Sequence, residues 1–281
     1  MQASLSELLS TLPDAKVTAP ANFNGVSTNS KTVERGQLFV ALRGERFDAH
    51  NFLHEVAARG AAAVVVEQAP MDLGIPALIV SDTRYALGQI AQLWRKQFTL
   101  PVIGVTGSNG KTTVKEMIAA ILGTAFGEGH YLATRGNLNN EIGVPLTLFR
   151  LQAQHRAAVV ELGMNHPGEI ARLTQIALPT VGLVNNAQRE HQEFMASVAA
   201  VAEENGAVIH GLNDAGCAVF PADDEFAPLW TAYAGSRRLL SFALDKQAAV
   251  TAHWTALDFG SQVTLNAGGE QVSCVLAAAG Q

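Results

Sequence analysis

The sequence has few cysteines and no surplus of positive charge. Only two cysteines occur among 281 residues, Cys217 and Cys274, and they lie too far apart for any metal-ligand spacing. We expect both to be buried free thiols in a reducing compartment. Lys and Arg number 19 against 25 Asp and Glu, and the net charge is −6. This balance argues against a protein that binds nucleic acid.

Long apolar stretches are also missing. The first residues, MQASLSE, lack the basic segment and the apolar segment of a secretory signal peptide. No apolar run reaches the length of about 20 residues that a membrane-spanning helix needs. We therefore expect a cytoplasmic protein that does not insert into membranes, and we expect it to be a monomer.

The length and the order of elements predict an α/β protein of two domains. At 281 residues the chain is long for one domain, and its hydrophobic content of 48% is ample for two cores. Strands alternate with helices throughout residues 1–99, which predicts a small α/β domain. Residues 100–281 predict a second domain with a mostly parallel sheet. From Leu239 onward, alternating polarity predicts an antiparallel extension of that sheet.

A glycine-rich turn between a strand and a helix is the most informative stretch. Residues 101–105 are apolar, as in a buried parallel strand, and the loop that follows leads into Lys111-Thr112-Thr113. Such a loop directs backbone N–H groups and a helix dipole at a phosphate. Lys111 would reach the β- and γ-phosphates of a nucleotide, and the Thr112 hydroxyl would hold Mg²⁺. The pattern departs from the usual P-loop at Val105, where glycine is common.

The helix after this loop is expected to bury one apolar face, formed by Val114, Met117, Ile118, Ile121 and Leu122. An ordinary strand-to-helix turn is the alternative interpretation of the loop. That alternative accounts for Gly107 and Gly110 but gives no reason for the sequence Gly-Lys-Thr-Thr. The sequence therefore predicts a site for a nucleoside triphosphate.

Three further groups are candidates for this site. Glu161 ends an apolar strand, and the carboxyl end of a parallel strand is where ligands bind in open α/β sheets. A carboxylate there suits Mg²⁺, although a capping or solvent-facing glutamate is the alternative. Asn139 and Asn140 belong to an amide-rich loop that either faces a ligand or forms a turn. His191 taken alone is more often a surface histidine.

Two loops of the first domain form a second candidate site. Both follow apolar strands and mix hydroxyl, amide, guanidinium and aromatic groups, a combination that suits a nucleotide diphosphate. Plain connecting loops are the alternative. The candidate substrate residues are Ser27, Thr28, Asn29, Ser30, Arg43, Gly44, Phe47, Asp48 and His50.

Together these motifs resemble the ATP-dependent Mur ligases of peptidoglycan synthesis. The resemblance covers essentially the whole chain. The first domain resembles the family's UDP-sugar-binding domain at residues 27–31, 38–44 and 48–52. The segments GNLNNEIGVP (136–145) and ELGMN (161–165) are similar to those of the branch that adds the terminal dipeptide. The branch that adds the third, diamino acid usually differs at both segments.

The resemblance implies an amide-bond ligase with ATP and Mg²⁺ as cofactors. Its substrates would be UDP-N-acetylmuramoyl-tripeptide and D-alanyl-D-alanine. Lys111, Glu161 and His191 would be catalytic, and Thr112, Glu161 and His191 would hold magnesium. The implied ATP-binding residues are Thr106, Gly107, Ser108, Asn109, Gly110, Lys111, Thr112, Thr113, Asn139 and Asn140.

Two departures from the family pattern bear on this interpretation. Family members commonly carry a carbamylated lysine on the helix after the histidine, and Asn205 stands at the matching position. The family also continues with an adenine-contacting segment and a third domain, which we expect to be absent from these 281 residues. We therefore expect the 281 residues alone to form no product. The diamino-acid ligase, a P-loop kinase and a non-catalytic nucleotide-binding module stay open as alternatives.

Overall fold

The computed structural model describes residues 1–44, 47–68, 72–189 and 195–277. These residues form two compact units. The first contains residues 1–100, 119–160 and 175–178, and the second contains residues 101–118, 161–174 and 179–281. The domain boundary at residues 99 and 100 stays a prediction.

The chain alternates short strands and helices, as the sequence predicts. The strands are β1 (Ala3–Ser4), β2 (Lys16–Val17), β3 (Asn22–Phe23), β4 (Val26–Ser27), β5 (Leu38–Val40), β6 (Ala63–Val66), β7 (Ala77–Ile79), β8 (Val102–Thr106), β9 (Tyr131–Ala133), β10 (Ala157–Glu161), β11 (Val181–Val184), β12 (Cys217–Pro221), β13 (Arg238–Ala243), β14 (Val250–Ala256), β15 (Ser261–Ala267) and β16 (Glu270–Leu276). The α-helices are α1 (Leu5–Leu8), α2 (Leu53–Ala58), α3 (Thr83–Arg95), α4 (Lys111–Phe126), α5 (Gly143–Leu148), α6 (Glu169–Ala177), α7 (Val198–His210) and α8 (Ala227–Ala234). A 3₁₀ turn at Ala49–Phe52 precedes α2.

The first unit contains a five-stranded sheet in the order β2-β7-β6-β5-β4. All neighbours pair in parallel except β2, which is antiparallel to β7. Successive residues of β5 and β6 enter two different cores: Leu38 and Val65 pack in one, Phe39 and Val64 in the other. Both faces of the sheet are therefore covered, which explains the continuous apolar runs in the sequence.

Helix α3 is capped at its N-terminus by the side chain of Asp82. The Asp82 side chain accepts hydrogen bonds from the N–H groups of Arg84 and Tyr85, at 2.8 and 2.9 Å. These bonds satisfy two donors that have no acceptor within the helix. At the other end of α3, the buried Arg95 donates to the carbonyls of Ala177 and Leu178, both at 3.1 Å. Burial lowers the pKa of the Arg95 guanidinium.

The second unit contains seven strands in the order β16-β15-β14-β13-β12-β11-β8. Strands β8, β11, β12, β13 and β14 pair in parallel. Only β15 and β16 are antiparallel to their neighbours. The α/β class with an antiparallel extension is confirmed, but that extension begins at β15 and not at Leu239. The error arose because β13 is only partly buried, as antiparallel strands often are, although it pairs in parallel with both β12 and β14.

Helix α7 lies close against β11 in the second unit. A side-chain Cβ at Gly182 would come within 2.9 Å of the Val208 carbonyl oxygen, so β11 needs glycine there. Ser197 caps the helix by accepting a bond from the Ala200 N–H at 3.1 Å. The fully buried Trp230 of α8 donates its indole N–H to the Ala202 carbonyl at 3.0 Å. These contacts fix α7 along its length.

Two expectations about burial are wrong. Cys217 is partly buried and Cys274 is exposed, because Cys274 lies on β16, whose residues are all exposed. Both thiols are free, as expected. In α4, Met117 and Ile121 are at least half exposed. The buried positions of that helix include Lys115, whose ammonium pairs with Glu116 while its aliphatic stem occupies the buried face.

Within residues 1–44, 47–68, 72–189 and 195–277, no helix has both the length and the apolar character needed to cross a bilayer.

Candidate functional site

The loop between β8 and α4 has the backbone geometry of an anion cradle. Gly107 and Gly110 have φ values of +133° and +75°, which side-chain-bearing residues rarely adopt. A Cβ at Gly107 would also lie 3.0 Å from the Asn186 backbone nitrogen. The Val114 N–H donates to the Gly110 carbonyl at 2.9 Å, which closes the first turn of α4. The N–H groups of residues 111–113 precede this first intrahelical bond of α4, a position that is suited to a phosphate.

Val105, the departure from the usual P-loop spacing, is fully buried within β8. Its carbonyl accepts a hydrogen bond from the Leu162 N–H at 2.8 Å. This position belongs to the strand and not to the turn, so it does not need the conformational freedom of glycine.

Amide groups that follow β11 hold the outer part of this loop. The Asn109 N–H donates to Asn186 Oδ1 at 2.9 Å, and the Ser108 N–H donates to the Asn186 carbonyl at 3.1 Å. Asn185 Nδ2 donates to the Asn109 carbonyl at 2.6 Å. The Gln188 N–H donates to Ser108 Oγ at 2.8 Å. The segment that follows β11 therefore fixes the loop through both backbone and side-chain hydrogen bonds.

Helix α7 holds the beginning of the loop. Asn205 Oδ1 accepts hydrogen bonds from the Thr106 hydroxyl at 2.6 Å and from the Gly107 N–H at 3.0 Å. Asn205 is fully buried. Since no lysine stands at this position, a carbamate of the kind that the family commonly carries cannot form there.

The first two side chains of α4 contact the loop and a buried carboxylate. Lys111 Nζ donates to the carbonyls of Gly107 and Ser108, at 2.5 and 3.1 Å. The Thr112 hydroxyl lies 3.0 and 3.2 Å from the two carboxylate oxygens of Glu161. Glu161 is only 2% exposed, so the alternative of a solvent-facing glutamate is excluded.

The Thr112 hydroxyl and the Glu161 carboxylate fit the oxygen ligands that Mg²⁺ prefers. Within the part of the chain that the structure describes, no group of three or more His, Cys, Asp and Glu residues could hold a metal ion. Mg²⁺ usually binds through one or two protein oxygens and the phosphates of its nucleotide, so this pair is sufficient. The predicted third ligand, His191, lies outside the described residues.

The loop after β10 is fixed by two carboxylates. Glu204 of α7 accepts hydrogen bonds from the N–H groups of Gly168 and Ile170, both at 2.8 Å. Glu169 accepts from the N–H groups of Asn165 and His166, at 2.6 and 3.1 Å. Burial raises the pKa of Glu169, but these hydrogen bonds outweigh burial, and the pKa is lowered overall.

Asn139 and Asn140 lie in the first unit, in the loop before α5. Asn140 Oδ1 accepts from the N–H groups of Ile142 and Gly143, at 3.1 and 2.9 Å. The Asn139 N–H donates to the Asn137 carbonyl at 2.8 Å. The side-chain oxygen of Asn140 thus forms the turn that begins α5, which is the structural alternative named for it above.

The candidate substrate loops of the first unit follow the carboxyl ends of β4 and β5. Arg43 pairs with Asp48 at 2.9 Å and with Glu67 at 3.2 Å. His50 Nδ1 lies 2.6 Å from Asp48, and His50 Nε2 accepts the Glu67 N–H at 3.2 Å. The Gly44 N–H donates to the Phe47 carbonyl at 2.8 Å. These groups form one polar cluster at the sheet edge.

The remaining predicted residues of this unit are less connected. Ser27, Asn29 and the partly buried Thr28 form a turn in which Ser27 Oγ donates to the Asn29 carbonyl at 3.3 Å. Ser30 is buried. Phe47 stacks on Phe52 with ring centroids 5.3 Å apart and is 54% exposed, so it presents an aromatic surface.

The sequence did not single out several residues that build these sites. Asn186, Gln188 and Glu204 are among them, and Asn205 was noted only as a departure from a pattern. Arg84 was also missed: it pairs with Glu141 at 2.6 Å and donates to the Arg43 carbonyl at 3.1 Å. The only signal available was that Asn185 and Asn186 follow a predicted strand, where amides meet other strand ends.

Comparison with known proteins shows which family this fold and loop define. Residues 105–281 match the Mur ligase middle domain, and residues 22–95 match the Mur ligase family catalytic domain. The chain belongs to the Mur ligase family, which confirms the resemblance.

Individual relatives point to one branch of the family. The chain is 43% identical over 243 residues to the UDP-N-acetylmuramoyl-tripeptide–D-alanyl-D-alanine ligase of Escherichia coli K12, covering 86% of this chain and 53% of that protein. It is 47% identical over 182 residues to the enzyme of the same name from Synechocystis sp., covering 64% and 39%. The chain thus spans about half the length of the curated relatives it matches.

Solved structures of Mur ligases also match the fold of this chain. The structure of MurF from Acinetobacter baumannii has a TM-score of 0.88 and 33% identity, covering 99% of this chain and 61% of that one. The structure of MurF ligase from Thermotoga maritima in complex with ADP has a TM-score of 0.80 and 28% identity, covering 90% and 58%.

We predict that Asp48→Asn destabilises the protein at neutral pH by about 1–2 kcal/mol. Burial raises the pKa of Asp48, but hydrogen bonds from His50 and Arg43 outweigh burial and lower it to about 2. Because the folded pKa is below the ordinary value, the stabilisation is complete above about pH 4 and is lost as the pH falls towards 2. Urea denaturation at pH 7 and at several lower values measures it.

The exposed Asp14→Asn serves as the matched control and should leave the unfolding free energy unchanged within about 0.5 kcal/mol. A difference between Asp48→Asn and the parent that stays constant from pH 7 to pH 3 would contradict the assignment.

Proposed function

We propose that this chain belongs to a ligase that joins D-alanyl-D-alanine to UDP-N-acetylmuramoyl-tripeptide at the expense of ATP. The observation that carries the proposal lies at the N-terminus of α4, where Lys111 donates to the carbonyls of the preceding loop and the Thr112 hydroxyl meets the buried carboxylate of Glu161. The names of the relatives from E. coli and Synechocystis support the substrates. The ADP complex of the Thermotoga structure supports a nucleotide in this fold.

The proposed division of labour follows the predicted domains. Residues 1–99 bind the UDP-muramoyl peptide through the loops after β4 and β5, and residues 100–281 bind ATP. In the first domain, Arg43 is half exposed and held by two carboxylates, so its direction is set before a diphosphate arrives. The exposed face of Phe47 is suited to packing against a base or sugar.

The reaction requires activation of a carboxylate, which is a poor electrophile at neutral pH. The terminal carboxylate oxygen of the tripeptide attacks the γ-phosphorus of ATP, the bond to the β–γ bridging oxygen breaks, and ADP leaves. The amine of D-alanyl-D-alanine then attacks the acyl phosphate carbon. The tetrahedral intermediate expels phosphate and loses a proton, which leaves the new amide bond.

The chain's residues bind and orient the phosphates in this scheme. Lys111 exchanges its contacts with the loop carbonyls for the β- and γ-phosphate oxygens, and the N–H groups at the start of α4 receive the same anion. Thr112, Glu161 and His191 would hold Mg²⁺, which would offset the charge on the transferring phosphoryl group.

A product assay tests the proposal. The protein, expressed from its complete reading frame, is given ATP, Mg²⁺ and UDP-N-acetylmuramoyl-tripeptide with D-alanyl-D-alanine. A parallel reaction contains UDP-N-acetylmuramoyl-dipeptide and a diamino acid instead. Product in the first reaction only is the expected result. Product in the second only would assign the chain to the diamino-acid branch, and phosphate transfer that needs no amine would indicate a kinase.

We predict that Lys111→Ala reduces kcat in this assay by about 10³-fold or more while the unfolding free energy changes little. The Lys111 ammonium donates to two loop carbonyls and binds the phosphates in this scheme, so we expect its removal to affect transition-state charge more than folding. The exposed Lys96→Ala removes the same charge elsewhere and should keep parental kcat. Parental kcat in Lys111→Ala would refute the phosphate-binding role.

We also predict that Glu161→Gln raises the Mg²⁺ concentration needed for half-maximal activity by about tenfold. An amide oxygen keeps the shape of the side chain but lacks the charge that binds a hard cation. Titration of activity with Mg²⁺ at saturating ATP measures this requirement. The exposed Glu203→Gln is the control. If both variants titrate like the parent, Glu161 has a structural role only.

A further inference from the structure

One buried polar side chain of the second unit, that of Asn205, makes its hydrogen bonds at the start of the loop between β8 and α4. We call residues 107–110 the nucleotide loop. Asn205 is fully buried, and its Oδ1 accepts from the Thr106 hydroxyl at 2.6 Å and the Gly107 N–H at 3.0 Å. The orientation of the carboxamide is not ambiguous. Because a backbone N–H can only donate, the atom that faces Gly107 must be the oxygen.

The amide nitrogen of Asn205, unlike its oxygen, makes no hydrogen bond to the described residues, although it is buried. The two bonds to Thr106 and Gly107 are therefore what the side chain contributes. An aspartate could accept the same two bonds, but it would place a negative charge beside a loop that is suited to phosphates.

The helix that carries Asn205 is held on both sides of this residue. Next in the chain, a Cβ at Gly206 would come within 2.8 Å of the Tyr233 ring, so α7 and α8 lie in close contact here. On the preceding position, Glu204 caps the loop after β10 at 2.8 Å. A side chain placed by so rigid a support has a fixed position relative to the loop.

We propose that Asn205 is a positioning residue for the nucleotide loop. By holding the Thr106 hydroxyl and the Gly107 N–H, it sets the direction in which the chain leaves β8 and therefore the cradle that Ser108 to Lys111 form. Its effect on a nucleotide is exerted through the loop. This inference rests on the proposed nucleotide site.

The test compares three variants of the protein expressed from its complete reading frame. Asn205→Leu has a similar shape but accepts no hydrogen bonds. Asn205→Asp keeps the acceptor oxygen. Ser197→Ala removes the cap of the same helix without touching the loop. Two properties are measured: amide hydrogen exchange at Gly107, and the Kd for Mg·ADP by titration calorimetry.

Asn205→Leu is expected to exchange the Gly107 amide at least tenfold faster and to raise the Kd for Mg·ADP by about tenfold. Asn205→Asp should retain slow exchange at Gly107, because its carboxylate still accepts the bond. Ser197→Ala should lower the melting temperature while its Gly107 exchange and Kd stay within twofold of the parent.

Three results would overturn the inference: unchanged Gly107 exchange in Asn205→Leu, an unchanged Kd in that variant, or an equal loss of affinity in Ser197→Ala. The last result would mean that α7 acts through general stability. If the parent protein fails to bind Mg·ADP, the proposed function fails. The exchange measurement then still decides whether Asn205 holds the loop.

Discussion

The nucleotide loop depends on hydrogen-bond acceptors from other elements, which pair the backbone N–H groups at its start. Three consecutive donors, from Gly107, Ser108 and Asn109, have acceptors outside the loop: Asn205 Oδ1, the Asn186 carbonyl and Asn186 Oδ1. Gly107 and Ser108 are buried, so their N–H groups would cost about 1–3 kcal/mol each if they had no acceptor. Since the partners come from the end of β11 and from α7, the loop can adopt its shape only when these elements are in place.

In the first unit, polar groups at the sheet edge are paired mainly by charged side chains. Arg43, Asp48, His50 and Glu67 are gathered at the end of the parallel strands, where successive β–α connections meet. His50 Nε2 accepts a backbone N–H, so this nitrogen carries no proton, and Nδ1 is the atom that donates to Asp48. The side chains of the cluster are thus paired with one another, so a ligand of the proposed kind would meet donors whose directions are already set.

The sequence predicted those features that rest on local signals. The strand, loop and helix around Lys111 and the position of Glu161 at the end of β10 follow from periodicity and turn chemistry. Asn205 could not be predicted in its role, because it lies 98 residues from Gly107 and the pairing depends on how α7 seats on the sheet. For the same reason, a helical pattern alone could not show that Lys115 would be buried and Met117 exposed.

The two carboxylates at the start of α6 bear on where an anion binds in the second unit. Glu204 and Glu169 take the N–H groups around that helix N-terminus, at Gly168, Ile170, Asn165 and His166. The positive end of the α6 dipole is thus already neutralised by the protein's own negative charge, and a phosphate approaching it is repelled. Helix α4 has no acidic residue in its first turn, and the Glu161 carboxylate beside it accepts from the Thr112 hydroxyl and not from a backbone N–H. The two helix starts therefore differ in which groups are already paired. The N–H groups at the start of α6 are taken by carboxylates, which leaves the start of α4 as the better position for the proposed phosphate.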